Sequence, residues 1–443
     1  MAEGTFDSVA LTSGWFDTDV AEGGLFDHDI AREASSVVAA RGPAIAATII
    51  PNAEEGSTIT YSWHTDIIPA RNGTEHRQAL RLVPRETYSL ATHLTDAQLA
   101  TLQTALILNA AQGDAFGVPL EHEALLITAT TTGTTLTVGS TALSDWCEPG
   151  QRAIVIAPNH TDVAIGVVQS ITATSITLDV AVGAAGKAGA RIMPVMPCYL
   201  EETQGMALYP VNAGTYELKA RAIYFGNASL AWAPVGATVN TYTDPVTSQV
   251  YAVYDRGLIN ENTLPRAILS GSEITDRGGV LLMTGPRAVA DIAREIIARL
   301  HTYADRQYLK KFHGTVRGQQ IAFLLPTWQP DLIPLSDAST SLLTVKGPPL
   351  VGVNDYAAAW FQSPAHQHIQ LLKTDGSVAY RTVTDAVNHG DGTSDLQLDS
   401  SLAGALARVS FLEVCRLATD DIVVRYDGGG VGESRIPCQV VQQ

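Results

Sequence analysis

The sequence predicts a mainly β protein of the α+β type, built as two tandem β domains that each carry one packed helix and an inserted small β-barrel or sandwich module. Three observations lead there. An internal repeat sets the number two, one amphipathic helical stretch follows the opening strands of each copy, and each helix is followed by a block rich in Thr, Val and Gly with turns about every eight to twelve residues.

The repeat shows in its landmarks. Val118-Pro119-Leu120-Glu121-His122 leads to Leu136-Thr137-Val138, and Leu325-Pro326-Thr327-Trp328-Gln329 leads to Leu343-Thr344-Val345, both displaced by 207 positions. Further on, Leu178-Asp179 matches Leu398-Asp399, Arg191 and Cys198 match Arg408 and Cys415, and Leu200 matches Leu417, with the displacement grown to between 217 and 220. A short insertion in the second copy explains the growth. The 443-residue length alone suggests about three domains, and the repeat favours an even number. Each copy then supplies an equivalent wedge of a larger object, which points to assembly before catalysis.

Alternating apolar residues make 57–68 and 86–93 strands. Thr95 is the expected N-cap of the first helix, with Gln98 three residues on and Leu99, Leu102, Leu106 and Ile107 forming a stripe as far as Ala111. The second helix is expected over 286–303, with Pro286 in its first turn and Val289, Ile292, Ile296, Ile297 and Leu300 on one face. Buried strands follow at 115–120 and 321–328. Within the first inserted block, 134–138, 152–157, 163–170, 175–180 and 191–195 read as five short strands, with Gly133, Asn159 and Gly183 at turns. Strands at 216–224, 422–425 and 436–441 complete the host cores. The expected organisation is an N-terminal arm over 1–44, a first host domain over 45–129 and 200–225 with its module at 130–199, a connector at 226–260, and a second host domain over 261–340 and 418–443 with its module at 341–417. In the arm, Gly14-Trp15-Phe16-Asp17-Thr18-Asp19 is echoed by Gly24-Leu25-Phe26-Asp27-His28-Asp29, a segment expected to dock on a neighbour.

Composition narrows the function. Only 16% of residues are charged against 46% hydrophobic, a balance that suits a subunit burying its faces against neighbours. A net charge of −17 with scattered Lys and Arg argues against nucleic acid as a direct partner. The acidic start is unlike a secretory signal, and no window supplies the roughly 20 clean apolar residues of a membrane span. Cys147, Cys198, Cys415 and Cys438 lack CxxC spacing and read as reduced thiols, with Cys198 and Cys415 buried at equivalent repeat positions.

Candidate chemistry is sparse. His366 and His368 would share one face of a strand and offer two nitrogens to a metal, but no third ligand is near, and a solvated strand face is the competing reading. Asp391-Gly392-Thr393-Ser394-Asp395 fits a hairpin turn better than a calcium loop. The adjacent carboxylates Glu54-Glu55, Glu201-Glu202 and Asp420-Asp421 would point to opposite faces of a strand and are read as solvated turns. The run from Gly428 to Gly432 lacks the Lys-Ser or Lys-Thr of a phosphate loop, and no nucleophile elbow occurs. No catalytic, cofactor or metal residue is assigned, and the chain is not expected to be an enzyme.

Several stretches resemble the tail-tip proteins of long, non-contractile-tailed bacteriophages, the distal tail and baseplate hub group of siphoviruses. They are Gly73-Thr74-Glu75-His76-Arg77-Gln78-Ala79-Leu80-Arg81 with Pro84-Arg85, Ala322-Phe323-Leu324-Leu325-Pro326-Thr327-Trp328, and Thr419-Asp420-Asp421-Ile422 with Asp427-Gly428. The resemblance implies tail-tube-like host domains and a structural protein of the virion tail tip, made in the cytoplasm of the bacterial host. It would form a ring that joins the tail tube to the hub or receptor-binding fibres, with the tape-measure protein among its neighbours. Two copies per chain make a trimer with pseudo-six-fold symmetry the expected ring, a hexamer being the alternative. A carbohydrate- or receptor-binding tail protein is the second reading and a cell-wall hydrolase the third.

Overall fold

Most of the hydrogen-bond pattern of the first half recurs in the second. The computed structural model describes residues 43, 45–48, 57–69, 75–81, 83–201, 206–209, 213–223, 237–256, 266–269, 273–277, 280–284, 291–337, 339–347, 356–361, 366–427 and 430–441. The expected arm, Pro43 apart, and the pair Glu54-Glu55 lie outside them. The chain is mainly β and largely antiparallel. Its first half runs β1 (Ile45–Thr48), β2 (Ser57–Ser62), β3 (Thr65–Pro69), β4 (Glu75–Ala79), β5 (Arg85–Thr95), α1 (Asp96–Gln112), β6 (Ala115–Pro119), β7 (Leu125–Leu126), β8 (Thr135–Thr137), β9 (Arg152–Ile156), β10 (Val163–Ile171), β11 (Ser175–Leu178), β12 (Arg191–Leu200), β13 (Met206–Tyr209) and β14 (Ala213–Ala222). A hairpin of β15 (Asn240–Thr243) and β16 (Val250–Val253) follows.

The second half runs β17 (Arg266–Leu269), β18 (Glu273–Arg277), β19 (Val280–Thr284), β20 (Asp291–Leu300), α2 (Tyr303–Val316), β21 (Phe323–Pro326), β22 (Ile333–Pro334), β23 (Leu342–Lys346), α3 (Tyr356–Phe361), β24 (His368–Lys373), β25 (Val378–Asn388), β26 (Thr393–Leu398), β27 (Leu406–Leu417), β28 (Asp421–Tyr426) and β29 (Gly432–Val440). Parallel pairing of β1 with β6 is matched by β16 with β21. Residues 240–253 of the expected connector therefore form a hairpin whose second strand joins the sheet of the second half. The extra helix α3 sits where the displacement between the copies grows.

Registers agree to the residue. Cys198 pairs with Phe116 and Ala222, and Cys415 with Phe323 and Val440. The Asp179 carboxylate accepts from the Val167 amide at 2.6 Å, and the Asp399 carboxylate accepts from the Thr382 amide at 3.2 Å. In each half a closed circuit of pairings surrounds its own apolar cluster. The first runs β12–β9–β10–β11–β8, closed through β7 and the Ile127–Val138 bridge around Leu136, Val155, Val168 and Ile176. The second runs β27–β24–β25–β26–β23–β22, closed by the Leu332–Val409 bridge around Leu343, Ile369, Leu371 and Leu396. The long strands β12 and β27 begin in these circuits and end in the host sheet, where Val195 and Leu412 already pair with β6 and β21. Circuit and host thus share a strand in each half.

The second helix is displaced from its expected position. Residues 291–300 form strand β20, and the helix is α2 at Tyr303–Val316. Ile292, Ile296, Ile297 and Leu300 do fit a helical stripe, but β20 is held between β17 and β29, and Arg294, Ile296, Ala298 and Leu300 go inward with the two-residue period of a strand. Long-range pairing overrides the helix-favouring Ala, Arg and Leu of this stretch. Arg294 tolerates burial because the Glu413 carboxylate lies 2.6 Å away.

At α2 the local signals are strong. Thr302 Oγ1 accepts from the Asp305 amide while Asp305 accepts from the Thr302 amide, and Arg317 closes the helix in the left-handed region. Leu309, Phe312 and Val316 then face the main core, which takes residues from both halves. Thr302→Ala is expected to cost about 1 kcal/mol, measured by urea denaturation, because it removes one side of this reciprocal cap.

Candidate functional site

The two halves are joined by backbone and by buried charge. Strand β2 of the first half pairs with β5 on one edge and with β28 of the second half on the other, in the antiparallel register Ile59 with Val424 and Tyr61 with Ile422. A continuous ladder therefore crosses from one half to the other. Its inward side chains Ile59, Tyr61, Ile422, Val424 and Tyr426 are buried because both strands turn alternate residues to the core, with Val423 an apolar residue left on the outer face.

Beside the ladder, a turn at Glu121–Glu123 and the segment around Asp145 rest on α2. Glu123 Oε2 accepts from the Tyr303 hydroxyl at 2.6 Å and from Gln307 Nε2 at 2.8 Å, and its backbone carbonyl accepts from Trp146 Nε1 at 3.0 Å. Lys310 Nζ donates to Asp145 Oδ2 at 2.5 Å. The His122 ring lies against Tyr426 with centroids 5.0 Å apart, and Arg306 donates to the carbonyl of Gly430. His122, Glu123 and Gln307 are all buried. The cleft left among Tyr61, Glu123, Lys310, His313 and Tyr426 has room for about one water. Its chemistry is that of a joint, in which Glu123 and Asp145 of the first half are held by Tyr303, Gln307 and Lys310 of the second.

The charge states follow from that burial. Burial pushes the Glu123 carboxyl up to about 7, against the pull of Lys310. Burial also draws the Lys310 ammonium down, but Asp145, Glu123 and Glu86 outweigh it and hold it above its ordinary value. His122 is held well below the histidine range by burial and by Arg306 and Lys310, and burial lowers His313 to about 3. Glu123 keeps its proton more tightly when folded than when unfolded, so its contribution to stability falls as pH rises from 4.5 to about 7 and is flat above. His122 and His313 act in the opposite sense, so the informative comparison is with Glu123→Gln, which leaves both in place. Relative to that variant, the parent is expected to lose on the order of 3 kcal/mol between these limits, read from urea midpoints across the range.

A second contact anchors the end of the ladder. Asp420 accepts from the Thr65 amide at 2.6 Å, the Thr65 hydroxyl at 2.8 Å and the Gln319 amide at 2.9 Å, and its carbonyl accepts from the Trp63 amide at 3.1 Å. Arg77 donates to the Gln319 carbonyl at 2.8 Å, and Glu75 lies 3.9 Å from Arg416. Asp420 is therefore a half-buried organiser of the joint and not the solvated turn expected of it. Three short amides and hydroxyls point at it because β3 and the turn after α2 converge there. Glu75, Arg77 and Asp420 belong to stretches that carried the sequence resemblance.

The histidine pair reads differently in three dimensions. His366 precedes β24 and stacks on Trp360 at 3.9 Å, while His368 Nδ1 lies 3.1 Å from the Thr382 hydroxyl. Both are buried, so the solvated strand face is corrected, and burial lowers His368. Among the described residues no group of three or more His, Cys, Asp or Glu is placed to hold a metal ion. Asp391 forms the hairpin turn between β25 and β26, accepting from the Thr393 amide at 2.9 Å. Cys198, Cys415 and Cys438 are buried and form no disulfide, Cys147 is half-buried, and no described helix is long and apolar enough to cross a membrane.

No protein-family model matches the chain, and no curated protein is similar to it in sequence. The joint was hidden from sequence reasoning because its members are far apart in the chain: Glu123 and Lys310 carry no motif. Applying the displacement of 207 to Thr95 would have given Thr302 as the second N-cap and put Lys310 on a helix.

Proposed function

We propose that the chain is a structural protein of a phage tail tip, whose two tail-tube-like halves are neighbouring wedges of a ring joining the tail tube to the hub or to receptor-binding fibres. The observation that carries this reading is the joint itself. Two equivalent halves are fused edge to edge by a β ladder and a buried ion pair, an arrangement suited to transmitting load between wedges. Its buried polar groups fix one relative placement, since any shift leaves Glu123 or Asp145 without its partners. The closed β circuits are the modules that would reach neighbours or fibres. Three chains supply six wedges.

A sugar-binding reading would need exposed aromatic platforms on those circuits. Trp146 is buried, and Trp360 is stacked between His366 and Phe411. The test is to purify virions, detect the chain by mass spectrometry and locate it by cryo-electron microscopy. Density for six similar wedges around the tail axis at the tip is expected. Absence of the chain from purified particles would refute the reading.

A further inference from the structure

The inner joint has a counterpart at each end of the strand run β13-β14-β5-β2-β28-β29-β20-β17, and among the described residues no further strand pairs at either end. Matching the halves by their pairings makes β17 the equivalent of β2 and β13 the equivalent of β28. Strand β2 has partners on both edges, whereas β17 pairs with β20 alone among the described residues. Strand β28 likewise lies between β29 and β2, whereas β13 pairs only with β14 among the described residues. Each half therefore keeps one edge whose equivalent in the other half is already covered.

The surfaces beside those edges follow suit. Buried His122 and Glu123 correspond to Gln329 and Pro330, which are exposed. Buried Gln307 of α2 corresponds to exposed Ala100 of α1, and Ile107, two turns further on, is 66% exposed. A half that needs a neighbour on α2 thus presents the same bare face on α1. Exposed sheet edges recruit further strands unless they are blocked.

We infer that β13 of one chain pairs antiparallel with β17 of the next, repeating between chains the β2–β28 joint found within each. This rests on the ring reading above and names its contact. The occupant of both edges is a second copy of the chain, because the chain already joins the equivalents of these two strands in the β2–β28 ladder. The contact is head-to-tail, so it closes into a ring when the rotation permits. Its register follows from the inner one. Ile59 opposes Val424, Ile59 is equivalent to Arg266 through the partners Tyr88 and Arg294, and Val424 is equivalent to Met206 through Ser434 and Tyr216. Arg266 of one chain therefore faces Met206 of the next. The side chains replacing Glu123 and Lys310 there are Pro330 and Gln103, so the interchain joint forms without the buried ion pair.

The test is the double variant Arg266→Cys with Met206→Cys in the full chain, oxidised under mild conditions and run on a denaturing gel beside the parent. Opposed residues of an antiparallel pair lie within disulfide reach. Ile59→Cys with Val424→Cys controls the geometry by cross-linking within one chain. A ladder of cross-linked chains ending in a closed species of three is expected for the first variant and none for the parent. No ladder, with native mass still showing the ring, would overturn this contact and leave the ring reading standing. No ladder and a monomer by native mass would overturn both.

Discussion

Lys310→Met is expected to destabilise the chain by about 3–5 kcal/mol, a large fraction of the stability of a typical domain. The methionine fills most of the volume, so the loss is electrostatic. Lys310 and Asp145 have side chains only 14% and 5% exposed, and removing the ammonium leaves Asp145 buried without its cation and Glu123 without the charge that favours its ionised form. Adding Asp145→Asn to the variant removes the stranded charge and is expected to recover much of the loss, so the double-mutant cycle should show strong coupling. Because the pair bridges the halves, amide exchange in β2 and β28 should rise more than in β9 and β10, which lie inside the first circuit. Uniform exchange across all four strands would show that the pair serves one half only.

Gly318→Val is the second large effect, expected on the order of 3 kcal/mol. Gly318 has φ +64, a region a β-branched residue avoids, and a Cβ there would come within 2.9 Å of the Trp63 Cβ and would collide with Asp420 Oδ1. Either the backbone turns or Asp420 leaves Thr65 and Gln319. Gly113 separates the two causes, since it has φ +72 and nothing within 4 Å of an added Cβ. Gly113→Ala should cost only about 1 kcal/mol. Equal losses from the two variants, by urea denaturation, would remove the steric part of the account.

The repeat was legible because it is written in spaced landmarks that a strand register must keep. Leu136 and Leu343 both pair into the strand that ends at Leu178 or Leu398, so the displacements noticed in sequence are the displacements of the sheet. Short strands with alternating residues and turn-forming Gly were equally readable. The position of α2 was not, because Ile292, Ile296 and Leu300 satisfy a helix and a strand at once, and only their sheet neighbours decide. The joint was unreadable for a different reason. Asp420 sits at an ordinary-looking acidic turn, and its role comes from Thr65 and Gln319, which the fold brings to it from distant parts of the chain.

The native mass of the purified chain at micromolar concentration tests the ring most directly. Three chains of 47.0 kDa in one closed particle are expected, each contributing two wedges. A stable monomer under the same conditions would contradict it.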